Sequence, residues 1–198
     1  MIYKVIWAML LLLSEEIPLE KLLTKQSICK IKPIAGSITY SAQYPTWYDM
    51  ELVQTLIAVA YVESRFTYTK ERGEVIVSPK GACGLFQAIP KYTEYKCHEF
   101  ADHLIAGMVA VDHIRMIENT WGLEDEHLCH YNSGNRCNKE SRSYANTVIE
   151  KKKQIEEIFK SDFFTLETIA ISLMYSQCPK ENLFHFINTS SNSYMVGN

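Results

Sequence analysis

Residues 50–66, "MELVQTLIAVAYVESRF", decide how this chain folds. Leu52, Leu56, Val59 and Val62 recur at spacings of three and four, which is the period of one helix face. Asp49 stands just before the run, where a carboxylate accepts from the free N–H groups of a first helical turn. The spacing therefore predicts a helix, with one acid, Glu63, in its last turns. A glutamate on an ordinary helix faces water, because Glu is rarely fully buried. The apolar neighbours of Glu63 argue for a drier setting.

Downstream, residues 67–83 read as a polar loop broken by "RGEV" and "SPKGAC". "GLFQAI", 84–89, reads as one or two helical turns stopped by Pro90. A third helix is predicted over 98–119, with Phe100, Leu104, Met108, Val111 and Ile114 or Arg115 on one side and Gly122 as its stop. A short helix in "EDEHLCHYN", 124–132, ends near Gly134. Further helices are predicted over 143–159 and 163–176, and the polar tail 188–198 is expected to be disordered. Apart from the short "EVIV" segment nothing argues for a sheet, so the fold class is mainly α.

Upstream, residues 15–46 show little period and hold three of the six prolines, Pro18, Pro33 and Pro45, so they read as an N-terminal arm or linker. Before them, "MIYKVIWAMLLLLSEE" places one Lys ahead of a nine-residue apolar run, 5–13. That run is too short for an ordinary membrane span and suits a secretory signal. No A-x-A cleavage site follows it, which leaves an uncleaved anchor open, and a buried core helix has the same appearance. The expected organisation is a signal peptide or anchor at 1–14, the arm at 15–46, a domain at 47–160, and a C-terminal helix and tail at 161–198.

The 198 residues suffice for one domain with a proper core. Composition is that of a folded globular protein, 47% apolar and 22% charged. The formal charge of -3 argues against nucleic acid as a partner, since phosphate binding favours a basic face. Six cysteines, at 29, 83, 97, 129, 137 and 178, form an even set that suits an oxidising compartment, with connectivity not readable from sequence. Cys129 and Cys137 bracket "HYNSGNR", where a turn brings them within disulfide reach. Those two cysteines with His127 offer sulfur and imidazole, but there is no C-x-x-C pair and no H-x-x-x-H, so the reading holds no metal and no cofactor. His98, His103, His113, His127 and His130 likewise show no metal spacing and read as surface or helix-end residues.

Four segments then stand out in order: "ESRF" at 63–66, "SPKGACGLFQAIP" at 78–90, "HYNSG" at 130–134 and "SYANTVI" at 143–149. Their order and spacing resemble the soluble lytic transglycosylase family, which shares a lysozyme-like fold with goose-type lysozymes. The family pattern is a Glu-Ser pair at a helix end, a Gly-x-x-Gly-Leu-(Met or Phe)-Gln turn, an aromatic-Asn-x-Gly loop and a Tyr on a later helix. The resemblance covers most of 49–160 and says nothing of the ends. Phe86 stands where Met is common, and Cys83 and the Cys129, Cys137 pair are extras.

The resemblance implies a lysozyme-like helical domain with a catalytic cleft, acting on peptidoglycan glycan strands in a secretion, conjugation or phage setting. It makes Glu63 the catalytic acid and Ser64 its neighbour. Gly84, Leu85, Phe86 and Gln87 would form a wall beside it, with Gln87 reaching substrate. Tyr131 and Asn132 would line the cleft, and Tyr144 would hydrogen-bond near the Glu63 carboxyl. Taken singly, Gln87 also suits a turn cap, Tyr131 a core position, and Asn132-Ser133-Gly134 an ordinary turn.

Cleaving a glycosidic bond requires an acid still protonated near neutral pH, and burial achieves this by disfavouring the carboxylate. Most glycosidases add a second carboxylate. Here none accompanies the four segments: Asp102 and Asp112 read as capping or surface residues, and Glu71 and Glu74 lie in the loop after the Glu63 helix. A single acid fits a route assisted by the substrate's own acetamido group. The expected outcome is an anhydro product, with lysozyme-like hydrolysis or a non-catalytic wall-binding module as alternatives. The site is expected outside the cytoplasm, periplasmic or at the cell envelope.

Overall fold

The computed structural model describes residues 1–43, 49–70, 73–161 and 166–179, with the backbone alone for 166–168. The helices are α1 (Ile2–Leu13), α2 (Leu19–Leu22), α3 (Lys25–Ser41), α4 (Met50–Ser64), α5 (His103–Trp121), α6 (Cys129–Ser133), α7 (Lys139–Lys160) and α8 (Leu166–Ser176). Short 3-10 turns occupy Pro90–Tyr92, Cys97–Ala101 and Asp125–Leu128. Among the described residues there is no strand, only isolated bridges such as Thr69 with Val75 and Cys83 with Ala88. The fold is mainly α.

α4 is the centre. Leu52, Leu56, Ile57, Val59 and Ala60 are all buried, so the helix is apolar nearly all round, which is how an interior helix reads. Asp49 caps it, its carboxylate accepting from the Leu52 N–H at 3.0 Å. α1, α3, α5 and α7 pack around it. Gly107 lets α5 approach α3, because a Cβ there would collide with the Ser41 hydroxyl.

Residues 15–43, read as part of an arm, belong to the folded domain. α3 runs through Pro33, and Ile28, Ile31, Ile34, Ala35 and Ile38 recur on its buried side. Pro33 removes one backbone hydrogen bond from the helix. The apolar stripe on both sides of it holds the helix together by packing. Pro45 lies outside the described residues.

α1 also belongs to the core: Val5, Ile6, Trp7, Ala8, Met9, Leu10 and Leu12 are buried. Its contacts are with α3, α4, α7 and α8. The Lys4 ammonium donates to the Phe159 carbonyl at 3.1 Å, satisfying a free acceptor at the end of α7. Residues 2–13 thus take the core-helix form that the sequence left open. No helix among the described residues is long and apolar enough to cross a membrane. α8 packs on α1 and α3, and Cys178 beyond it is joined to Cys29.

Two local expectations are corrected. "GLFQAI" is a turn rather than helix, because Gly84 and Gln87 have φ of 73° and 48°. Pro90 opens a 3-10 turn instead of stopping a helix. The helix expected over 98–119 is divided at Asp102, whose carboxylate caps α5 by accepting from Leu104 and Ile105 N–H. The tail 188–198 lies outside the described residues.

Candidate active site

Glu63 sits one residue from the end of α4, and the chain leaves the helix sharply after it. Arg65 and Phe66 both adopt the left-handed region, at φ 51° and 56°. Two consecutive non-glycine residues there carry strain that the surroundings must offset. The Phe66 ring is buried and lies 5.8 Å from the Tyr61 ring. The Arg65 guanidinium stacks over Tyr61 at 4.2 Å, donates to the Tyr61 carbonyl at 2.6 Å and pairs with Glu16 at 2.7 Å.

The same corner is braced from α7. The Lys151 ammonium donates to both Glu15 oxygens, at 2.6 and 2.8 Å, and the Tyr61 hydroxyl donates to Glu15 at 3.1 Å. Burial pushes Glu15 up, but the contacts from Lys151 and Tyr61 outweigh it and hold the carboxyl below its ordinary value. Residues 15 and 16 therefore fasten the end of α1 to the two helices that carry Glu63 and Tyr144. Nothing in the family pattern pointed to them.

Ser64 ties the helix end to the 84–87 turn, its hydroxyl standing 3.0 Å from the Ala60 carbonyl and 2.7 Å from the Leu85 carbonyl. Leu85 and Phe86 are fully buried. Gly84 is required twice over: its φ is 73°, and a Cβ would stand 2.9 Å from the Phe100 carbonyl oxygen. The Cys83–Cys97 disulfide fixes the turn to the 3-10 segment behind it. Gln87 donates from Nε2 to the Gly84 carbonyl at 2.7 Å, closing the turn as a cap.

Tyr131, on α6, donates from its hydroxyl to the Phe86 carbonyl at 3.1 Å, which joins the third segment to the second. Cys129 and Cys137 form the disulfide that closes its loop. Tyr144, on α7, lies parallel to Tyr131 with ring centroids 6.4 Å apart. Its hydroxyl is buried beside the Glu63 carboxyl and interacts with it as a hydrogen-bond donor, though not in good geometry. Asn132 is exposed.

Burial pushes the Glu63 carboxyl up to about 7 from its ordinary 4.5, with the Tyr144 hydroxyl pulling the other way. Both phenols are raised well above their ordinary value, first by their own burial and then by Glu63. A half-neutral carboxyl near pH 7 can give a proton and take one back. Glu63, Ser64, the 84–87 turn, Tyr131 and Tyr144 are thus brought together.

Of the other acids named from sequence, two are engaged elsewhere. Asp102 caps α5, Asp112 is exposed, and Glu74 is exposed and pairs with Lys70 at 3.6 Å. Glu71 lies outside the described residues. Cys129, His130 and Cys137 have ligand-type atoms within 4.8 Å of one another, but both sulfurs are spent in the disulfide and are not thiolates. The histidines are not all at the surface: His130 is buried and stacks on Trp121 at 3.8 Å, and His113 lies in mid-helix, half-buried. Comparison of the chain with family models, curated proteins and solved structures finds no match.

Proposed function

We propose that the protein is a peptidoglycan lytic transglycosylase, cleaving the β-1,4 bond between N-acetylmuramic acid and N-acetylglucosamine. The observation that carries this reading is the Glu63 carboxyl, desolvated at the end of a buried helix and held near half-protonation at neutral pH. The protonated acid donates to the leaving glycosidic oxygen. The 2-acetamido oxygen of the muramyl ring stabilises the cation at C1. The Glu63 carboxylate then removes the proton of the C6 hydroxyl, O6 closes on C1, and a 1,6-anhydromuramyl product leaves with Glu63 protonated again.

Hydrolysis of the same bond is the nearer alternative, and it needs a group that orders water on the opposite face of the sugar. Asp102 caps α5 and Glu74 pairs with Lys70, which favours internal attack by a hydroxyl already tethered beside the reacting carbon. Three disulfides favour an oxidising compartment, consistent with glycan strands at the cell envelope as substrate. Half-buried Gln87 of the 84–87 turn and exposed Asn132 of α6 are the residues against which the sugars would lie.

Mass spectrometry of muropeptides released from purified peptidoglycan tests the reading. Wild-type protein is expected to release anhydro species, one water lighter than hydrolysed ones. Glu63→Gln keeps the side-chain shape and is expected to slow release by about 10²–10⁴-fold. A wild-type digest containing only reducing-end species identifies a lysozyme with the same acid. Binding to the wall with no release identifies a sugar-binding module.

A further inference from the structure

A residue outside the four matched segments stands behind the acid. His113 on α5 stacks on Tyr131, with centroids 4.6 Å apart and planes 26° from parallel. Tyr131 in turn stacks on Tyr144 at 6.4 Å and 9°. The three rings come from α5, α6 and α7, and the last of them brings its hydroxyl to Glu63 on α4. Both spacings lie in the range of offset ring stacking.

The Tyr131 hydroxyl is anchored on Phe86, so that ring is fixed at its tip by a hydrogen bond and on one face by His113. Tyr144 is held more weakly at its tip: its buried hydroxyl interacts with the Glu63 carboxyl but not in good hydrogen-bond geometry. Its hydroxyl meets the Glu63 carboxyl, and its ring is stacked on Tyr131. Burial holds His113 below its ordinary histidine value, so near neutral pH it stacks as an uncharged ring. Burial and Tyr144 are what set the Glu63 carboxyl, with Tyr131 coupled to it through space. A change in the stack is therefore expected to be read by Glu63.

We propose that His113 is a positioning residue that, through Tyr131, holds the Tyr144 hydroxyl against the Glu63 carboxyl. This deepens the transglycosylase reading, and it rests on Glu63 being the acid. In His113→Ala the space behind Tyr131 lets the stack relax, Tyr144 withdraws, and the carboxyl loses the one contact that pulls its pKa down. In His113→Phe a ring of similar shape refills the space.

The test is the ¹³C-carboxyl titration of Glu63 in wild type, His113→Ala and His113→Phe, with the pH profile of anhydro-muropeptide release alongside. In the Ala variant Glu63 is expected to titrate higher by about half a pH unit, and the basic limb of kcat/KM is expected to move with it. The Phe variant is expected to restore both. If Glu63 titrates alike in Ala and wild type while only Tm falls, His113 is mere filling and the proposal is overturned. A folded Phe variant displaced as far as Ala overturns it equally. If the Ala variant does not fold, His113→Gln takes its place with the same expected direction. Wild type that releases nothing would defeat the functional reading, while the titration still decides the role of His113.

Discussion

At residue scale Glu63 is a stability liability as well as a reactive group, and the sign of its effect follows from its raised pKa. An unfolded chain ionises this carboxyl near 4.5, whereas the folded chain holds the proton up to about 7. Folding therefore favours the protonated form, and stability is highest below pH 4.5 and declines as pH rises toward 7. The gap corresponds to about 3 kcal/mol above pH 7. Glu63→Gln does not ionise, so it is expected to melt close to wild type at pH 4 and higher at pH 8. For a domain this size the difference is about 5–10 °C. Melting curves at the two pH values check it, and a variant with no advantage at pH 8 would show that the carboxyl is not desolvated in the folded protein. The apolar setting of Glu63 was legible from Val59, Leu85 and Phe86. The stack behind it was not, because a histidine between exposed Asp112 and buried Ile114 carries no sign of which ring it meets.

At element scale the site combines residues on the long helices α4 and α7 with short turns held by cross-links. The 84–87 turn carries Cys83–Cys97 and the α6 loop carries Cys129–Cys137, closing spans of 14 and 8 residues. On the chain-entropy account they contribute about 3 and about 2.5 kcal/mol, against about 5 for Cys29–Cys178, which spans 149. Reduction of the first two is expected to loosen the surfaces around Glu63 while α4, α5 and α7 keep their core. Cys83→Ser with Cys97→Ser, and Cys129→Ser with Cys137→Ser, are expected to lose most activity while retaining the far-ultraviolet helical signal. Full activity in either pair would show that the turn stands without its bridge. The 129–137 pairing was legible from its bracketing of one loop, but the other two required contacts between distant segments. α4 was legible because cap, period and length agree. α3 was not, because Pro33 suggested a break that the isoleucines at 28, 31, 34 and 38 override by packing. The 84–87 turn differs from its sequence pattern for the converse reason: its apolar residues suit a helix, but the positive φ of Gly84 and Gln87 forbids one.

At the scale of the whole molecule the part that carries the four segments, within 49–160, does not stand apart from its flanks. α1, α3 and α8 share one apolar core with α4, and Glu15 and Glu16 brace the strained end of the Glu63 helix. The stretch that reads as a secretory signal is thus, in the folded molecule, a buried helix with seven buried residues. Burial of a large apolar side chain contributes about 1.5–3 kcal/mol. The six larger ones on α1 together approach or exceed the net stability of an ordinary domain, about 5–15 kcal/mol. A chain beginning at Glu15 is therefore expected to lose cooperative melting, and to expose the apolar faces of α3 and α8 that α1 covers. Near-ultraviolet circular dichroism and a thermal melt of residues 15–198, set beside the full chain, decide this. A truncated chain that melts cooperatively at the same temperature and still releases anhydro-muropeptides would show that α1 is an appendage that the domain does not need. Loss of the melt would make residues 1–14 part of the folded domain.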